Sequence, residues 1–122
     1  MYKRPARLLV AAVSDDGRAR RIAELAGQPA LATWLEVRPA RSMRALTVDD
    51  LEWADLLVAV DAAAALECPL ERPVTCRLKR WRLPPVASSD FEAEAMAALR
   101  GMAGGMRMLA RVDEPDAESG RV

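Results

Sequence analysis

Six consecutive apolar residues, Leu8 to Val13, run directly into Ser14-Asp15-Asp16-Gly17, and this junction constrains the fold more than any other stretch of the chain. An apolar run without polar alternation suits a strand covered on both faces, the situation of a central strand in a parallel sheet. Ser, Asp and Gly supply the turn and helix-start chemistry that ends such a strand. A helix is expected from there to about Ala26, with Ile22, Leu25 and Ala26 inward and Gly27 with Pro29 closing it.

The strand-then-helix rhythm repeats along the chain. Thr33 to Val37 reads as a second strand, closed by Arg38 and Pro39. Thr47-Val48-Asp49-Asp50 reads as a helix start, with the threonine as cap and the acids favoured by the dipole of the first turn. Asp55 to Val60 is the clearest strand, and Asp61 is expected to cap a short alanine-rich helix to about Leu66. Val74 to Leu78 is a shorter strand, and Pro84-Pro85 stops regular structure. Ser89-Asp90-Phe91-Glu92 then resembles a capping box for a long last helix, whose stripe is Phe91, Ala95, Leu99, Met102, Met106 and Leu109. Met96, Met102, Met106 and Met108 read as core filling. Gly101, Gly104 and Gly105 weaken that helix by roughly 1 kcal/mol each relative to alanine, so its last turns should fray or pack closely on something. Strands alternating with helices imply an α/β three-layer sandwich: a four-stranded parallel sheet with helices on both faces. Residues 1–112 are expected to form one domain, and residues 113–122 a polar, disordered tail.

Composition removes much chemistry. The chain has 122 residues, 18 basic and 18 acidic, so its net charge is zero, which argues against a general affinity for nucleic acid. It has no histidine, which excludes every Ser-His or Cys-His catalytic pair. Two cysteines, Cys68 and Cys76, make neither a disulfide framework nor a zinc cluster, and no metal or other cofactor is expected. No run of 18 apolar residues offers a membrane span. The apolar run near the start is too short and too soon followed by acids for a signal peptide, so a cytoplasmic location is expected.

The stretch from Arg44, RALTVDDLEWADLLVAVD, resembles the segment of low-molecular-weight protein tyrosine phosphatases in which a Leu-Thr-led helix precedes an Ala-Asp and an apolar strand ending in Asp. The order of elements from about residue 6 to 110 fits the same family. That resemblance implies a phosphate-cradling loop of the form Cys-x5-Arg between the first strand and first helix, with a thiolate that attacks phosphorus. Here the loop reads Ala12-Val13-Ser14-Asp15-Asp16-Gly17-Arg18-Ala19. The arginine matches as Arg18. The nucleophile position is Ala12, the hydroxyl position after the arginine is Ala19, and the region of the Asp-Pro general acid carries Pro84-Pro85. Asp15 and Asp16 would oppose a bound dianion, each by several kcal/mol at ~4 Å and an effective dielectric of about 20. The resemblance thus implies an inactive relative that serves as a binding or regulatory module.

Other readings of the same residues compete with this one. Arg18 is either a retained anion ligand or a solvated residue on the first helix. Asp15 and Asp16 are a helix-start turn, a divalent-cation site, or an acidic pair like that of receiver domains, with Asp61 as phosphoacceptor, although Lys79 lacks the sequence context that last comparison needs. Cys76 to Arg82 formally satisfies Cys-x5-Arg and offers a relocated nucleophile, but Leu78 and Trp81 are bulky for an amide cradle. Arg77, Lys79, Arg80 and Arg82 around Trp81 are either a solvated loop or a rim, beside Asp15 and Asp16, that binds an acidic ligand or partner protein, or a nucleic-acid strand by charge and stacking.

Overall fold

The computed structural model describes residues 4–113, with side chains to residue 108. Its central strand is β1 (Ala6–Ala11), in which Leu8, Val10 and Ala11 have no exposed surface. β1 pairs in parallel with β2 (Leu35–Pro39) on one side and β3 (Leu56–Ala59) on the other, and β4 (Arg77–Arg80) pairs in parallel with β3. The order is β2-β1-β3-β4, a four-stranded parallel sheet. Right-handed crossovers then put the helix after β1 on one face and those after β2 and β3 on the other. On the first face α1 (Arg18–Leu25) and α2 (Pro29–Ala32) pack with the last helix, α5 (Phe91–Asp113). On the second lie α3 (Val48–Trp53) and α4 (Ala62–Leu66), α3 against β1 and α4 against β3. The architecture is the α/β three-layer sandwich expected of the sequence.

Local chemistry explains the boundaries. Thr47 Oγ1 accepts from Asp50 N at 3.1 Å while the Asp50 carboxylate accepts from Thr47 N at 2.9 Å, a reciprocal cap for α3. Asp61 Oδ1 accepts from Ala64 N at 2.8 Å and caps α4. Three boundaries differ from expectation. β1 stops at Ala11, because the backbone turns away before the half-exposed Val13. Pro29 opens α2 where it was expected to end structure, since its fixed φ suits the first helical position, and β2 consequently starts two residues late. β4 is shifted three residues towards the cations: Val74 is exposed, and the ladder begins with Arg77 opposite Leu56. An edge strand tolerates such solvated charges, whereas a central one would not.

α5 runs without a break through Gly101, Gly104 and Gly105, and a Cβ at any of them would meet nothing within 4 Å. Neither fraying nor close packing follows from these glycines. The helix start differs as well: Ser88 Oγ accepts from Asp90 N at 3.2 Å, and Glu92 turns to Arg21, whose Nε donates to Oε2 at 2.9 Å. Phe91, Ala95, Leu99 and Ala103 are the buried face of α5, with Met102 and Met106 at its margin. Met108 is exposed. Asp113, expected to open the tail, is the last residue of α5, while Leu109's side chain and the rest of the expected tail, residues 114–122, lie outside the described residues.

Candidate functional site

In open parallel sheets, ligands sit beyond the carboxyl ends of the strands where the order reverses, here between β1 and β3. Three segments meet there: residues 12–18 after β1, Asp61 after β3, and residues 81–83 after β4. Ala12 is buried, and its carbonyl accepts from Met43 N at 2.8 Å. Val13, Ser14, Asp15 and Asp16 are exposed, with Ser14 O accepting from Asp16 N at 2.9 Å. Gly17 then takes φ +93°, a left-handed conformation that a residue with a Cβ adopts only at a cost, and α1 starts directly after it.

Arg18, the first residue of α1, is 8% exposed and is the one buried charged side chain among the described residues. Each end of its guanidinium is satisfied. Nε donates to Asp16 Oδ2 at 2.9 Å, Nη1 to Leu83 O at 3.0 Å and Nη2 to Asp61 Oδ2 at 2.8 Å. The other oxygen of Asp16 accepts from Arg18 N at 3.0 Å. Burial pulls the Arg18 pKa down, but the hydrogen bonds and charges of Asp16 and Asp61 outweigh it and hold the group above its ordinary value. Burial pushes the Asp61 carboxyl up, yet the Ala64 amide and Arg18 bring it to a net value below the usual 3.8.

Chemically this is an occupied cradle. A carboxylate that accepts from the first amide of a helix and from the neighbouring guanidinium stands where a small anion would be held. Arg18 is therefore not a solvated residue, and each of its three guanidinium nitrogens has an acceptor in its own chain. Asp16 turns in and neutralises it, Asp15 stays at the surface, and Ala19 is buried. With one carboxylate oxygen on Ala64 N and the other on Arg18, Asp61 is engaged at both ends, unlike an open phosphoacceptor. Sequence reasoning named Asp61 as a cap and as a phosphoacceptor but missed it as the partner of Arg18. That pairing depends on β1 and β3 lying side by side, which the sequence does not state.

The basic run is arranged differently from a loop rim. Arg77, Lys79 and Arg80 lie in β4 itself, and only Arg82 stands past its carboxyl end in the open. Trp81 is 7% exposed and donates its backbone N–H to Ala59 O at 2.8 Å, so its ring belongs to the core. Among the described residues no ion pair joins Asp15 or Asp16 to this run. Cys76 is buried just before β4, and burial raises its thiol above the ordinary 9.0. A strand follows it, with no turn in which amides could converge, so the second Cys-x5-Arg match is not a cradle.

Among the described residues no three His, Cys, Asp or Glu side chains come together as metal ligands, and no helix is long and apolar enough to cross a membrane. No protein-family model and no curated protein matches this chain.

Proposed function

We propose that this chain is a catalytically silent relative of the low-molecular-weight protein tyrosine phosphatases, acting in the cytoplasm as a binding or regulatory module. One observation carries the reading: the arginine that matches the family's loop is buried under Asp16 and Asp61 of its own chain. The parallel three-layer architecture and the position of the loop after β1 support it too. At the nucleophile position the Ala12 methyl has no acid-base chemistry. With Arg18 already paired to Asp16 and Asp61, a thiolate installed there would lack the open positive field that lowers its pKa for attack on phosphorus. No general acid replaces the one lost at Pro84-Pro85, a loss typically worth a factor of ~10²–10⁴.

The test is hydrolysis of a chromogenic aryl phosphate by wild type, Ala12→Cys and Ala12→Ser, with and without thiol alkylation and magnesium. Wild type should show no turnover, and Ala12→Cys should not exceed Ala12→Ser. Turnover by wild type that is lost on alkylation would transfer the chemistry to a cysteine and overturn the proposal, with Cys76→Ser and Cys68→Ser variants telling the two thiols apart. Magnesium-dependent formation of an acyl phosphate on an aspartate would favour the receiver reading instead.

A further inference from the structure

The sheet has two edges, and they are not alike. At the β2 edge, Ala40 N donates to Val10 O, so alternate residues of β2 point their amides outward, and one of those outward positions is Pro39, which has no N–H. That edge is blunted. At the β4 edge, Arg77 N donates to Asp55 O at 3.1 Å and Trp81 N to Ala59 O at 2.8 Å. By the alternation of a parallel ladder, Leu78 and Arg80 turn their backbone N–H and C=O away from β3. No proline interrupts β4, and among the described residues no further strand covers it.

The same edge carries cations that form no ion pair among the described residues. A groove of about 710 Å³ follows β4, and Arg72, Arg77, Lys79 and Arg80 line it with no carboxylate among its walls. Leu70 and Val74, 97% and 96% exposed, add apolar surface to the same groove. On the other side of the strand a recess of about 560 Å³ lies between Leu66 of α4 and Arg80 and Arg82. The described ion pairs all lie elsewhere, on Arg4, Arg7, Arg18, Arg21 and Arg44. The Arg72 Nε is buried without a hydrogen-bond partner among the described residues, although its Nη1 donates to Pro69 O at 2.8 Å. In a chain of zero net charge, this concentration of free cations on an open edge is a local excess.

We propose that β4 is a docking edge for an extended acidic segment of a partner protein, which adds to the sheet as a fifth strand. The outward amides and carbonyls of Leu78 and Arg80 offer strand-spaced hydrogen bonds that any extended peptide can make. Side chains of successive strand residues point to opposite faces, so Arg77 and Lys79 flank one face and Arg80 the other, where Arg82, just past the strand, lines the same recess as Arg80. Acids at alternate positions of the incoming strand therefore meet cations whichever face they take. A second copy of this chain fits poorly, because pairing β4 with itself sets cation against cation. Nucleic acid fits less well than peptide, because the one aromatic ring in the run, Trp81, is in the core and offers no stacking platform. This proposal deepens the binding-module reading, and the two fail separately: aryl phosphate turnover overturns that reading, while only the experiment below bears on the edge.

The experiment titrates the intact protein with a fluorescent peptide of alternating Glu and Val, while the amide spectrum of the protein is recorded. Parallel arms use a Gln-Val peptide, an alternately N-methylated Glu-Val peptide and an oligothymidylate. Binding should weaken about tenfold or more for the Gln-Val and N-methylated peptides, and likewise for a Lys79→Glu/Arg80→Glu double variant. It should also weaken between about 50 mM and about 300 mM salt. Amide shifts should centre on residues 77–82, with exchange protection gained at Leu78 and Arg80. The proposal is overturned if the Glu-Val peptide does not bind, or if charge reversal leaves its affinity unchanged. It is equally overturned if N-methylation has no effect, if the oligothymidylate binds more tightly, or if the protein dimerises through this edge.

Discussion

Burying a guanidinium is costly unless every donor and the charge itself are matched, and at Arg18 the matching comes from three separate segments of the chain. Asp16 arrives from the preceding turn, Asp61 from the end of β3, and the Leu83 carbonyl from the chain beyond β4. Arg18 is thus a staple across the carboxyl edge of the sheet. Both carboxylates keep about a third of their side-chain surface in solvent, which reduces the value of each pair below that of a fully buried one. Replacing Arg18 with Met is expected to lower stability by about 2 kcal/mol, since charged hydrogen bonds are lost and Asp16 and Asp61 face each other unneutralised. Arg18→Lys should recover only part of this, because an ammonium cannot span three acceptors with fork geometry. Urea unfolding reads both values, and a shift of less than about 0.5 kcal/mol in Arg18→Met would contradict the staple.

Elements show the difference between what pattern specifies and what packing specifies. The three glycines of α5 lie in regular helix with open space where a Cβ would stand, so their only effect is on backbone entropy. Gly104→Ala should therefore stabilise the domain by about 1 kcal/mol and raise its thermal midpoint by several degrees. Gly17→Ala should do the opposite, because at φ +93° any Cβ is strained. A fall in midpoint for Gly104→Ala would mean that the helix face carries a contact in solution. The buried strands were legible because Leu8–Ala11 and Leu56–Ala59 carry apolar runs that only a covered sheet accepts. The caps at Thr47 and Asp61 were legible because capping is local chemistry. The existence of β4 was legible but its bounds were not, since an edge strand of four residues, three of them cations, has no apolar signature and its register depends on pairing with β3. The site was half legible for a related reason: the loop and Arg18 can be read from neighbours in sequence, whereas the contacts with Asp61 and Leu83 exist only after the strands align.

At the scale of the whole molecule, two carboxylates that contribute to acid stability stand at the two ends of β3. Asp55, just before the strand, accepts from Arg4 Nη1 at 2.7 Å and from Arg7 N at 2.9 Å, while Asp61, just past it, accepts from Arg18 and Ala64 N. Arg4, with help from the Arg7 amide, holds Asp55 below the ordinary 3.8 against its partial burial, and Asp61 is likewise held below it. In the unfolded chain these groups take up protons first as pH falls. Their contribution is therefore fully present above the unfolded value of about 4, and it is lost as pH drops through the lower folded values. Cys76 bounds the other side with the opposite sign: its buried thiol titrates above 9.0, so stability declines as pH rises from there towards the folded value. No histidine titrates between these limits, so unfolding free energy should be nearly flat from about pH 5.5 to about pH 8. Denaturant unfolding across pH checks this, with Asp61→Asn as the discriminating variant. That variant keeps an acceptor for the Ala64 amide but carries no charge for Arg18, so its decline below pH about 4.5 should be shallower than that of wild type. An acid limb identical to wild type would mean that Asp61 does not pair with Arg18 in solution, leaving Asp16 and the Leu83 carbonyl as the partners of the guanidinium.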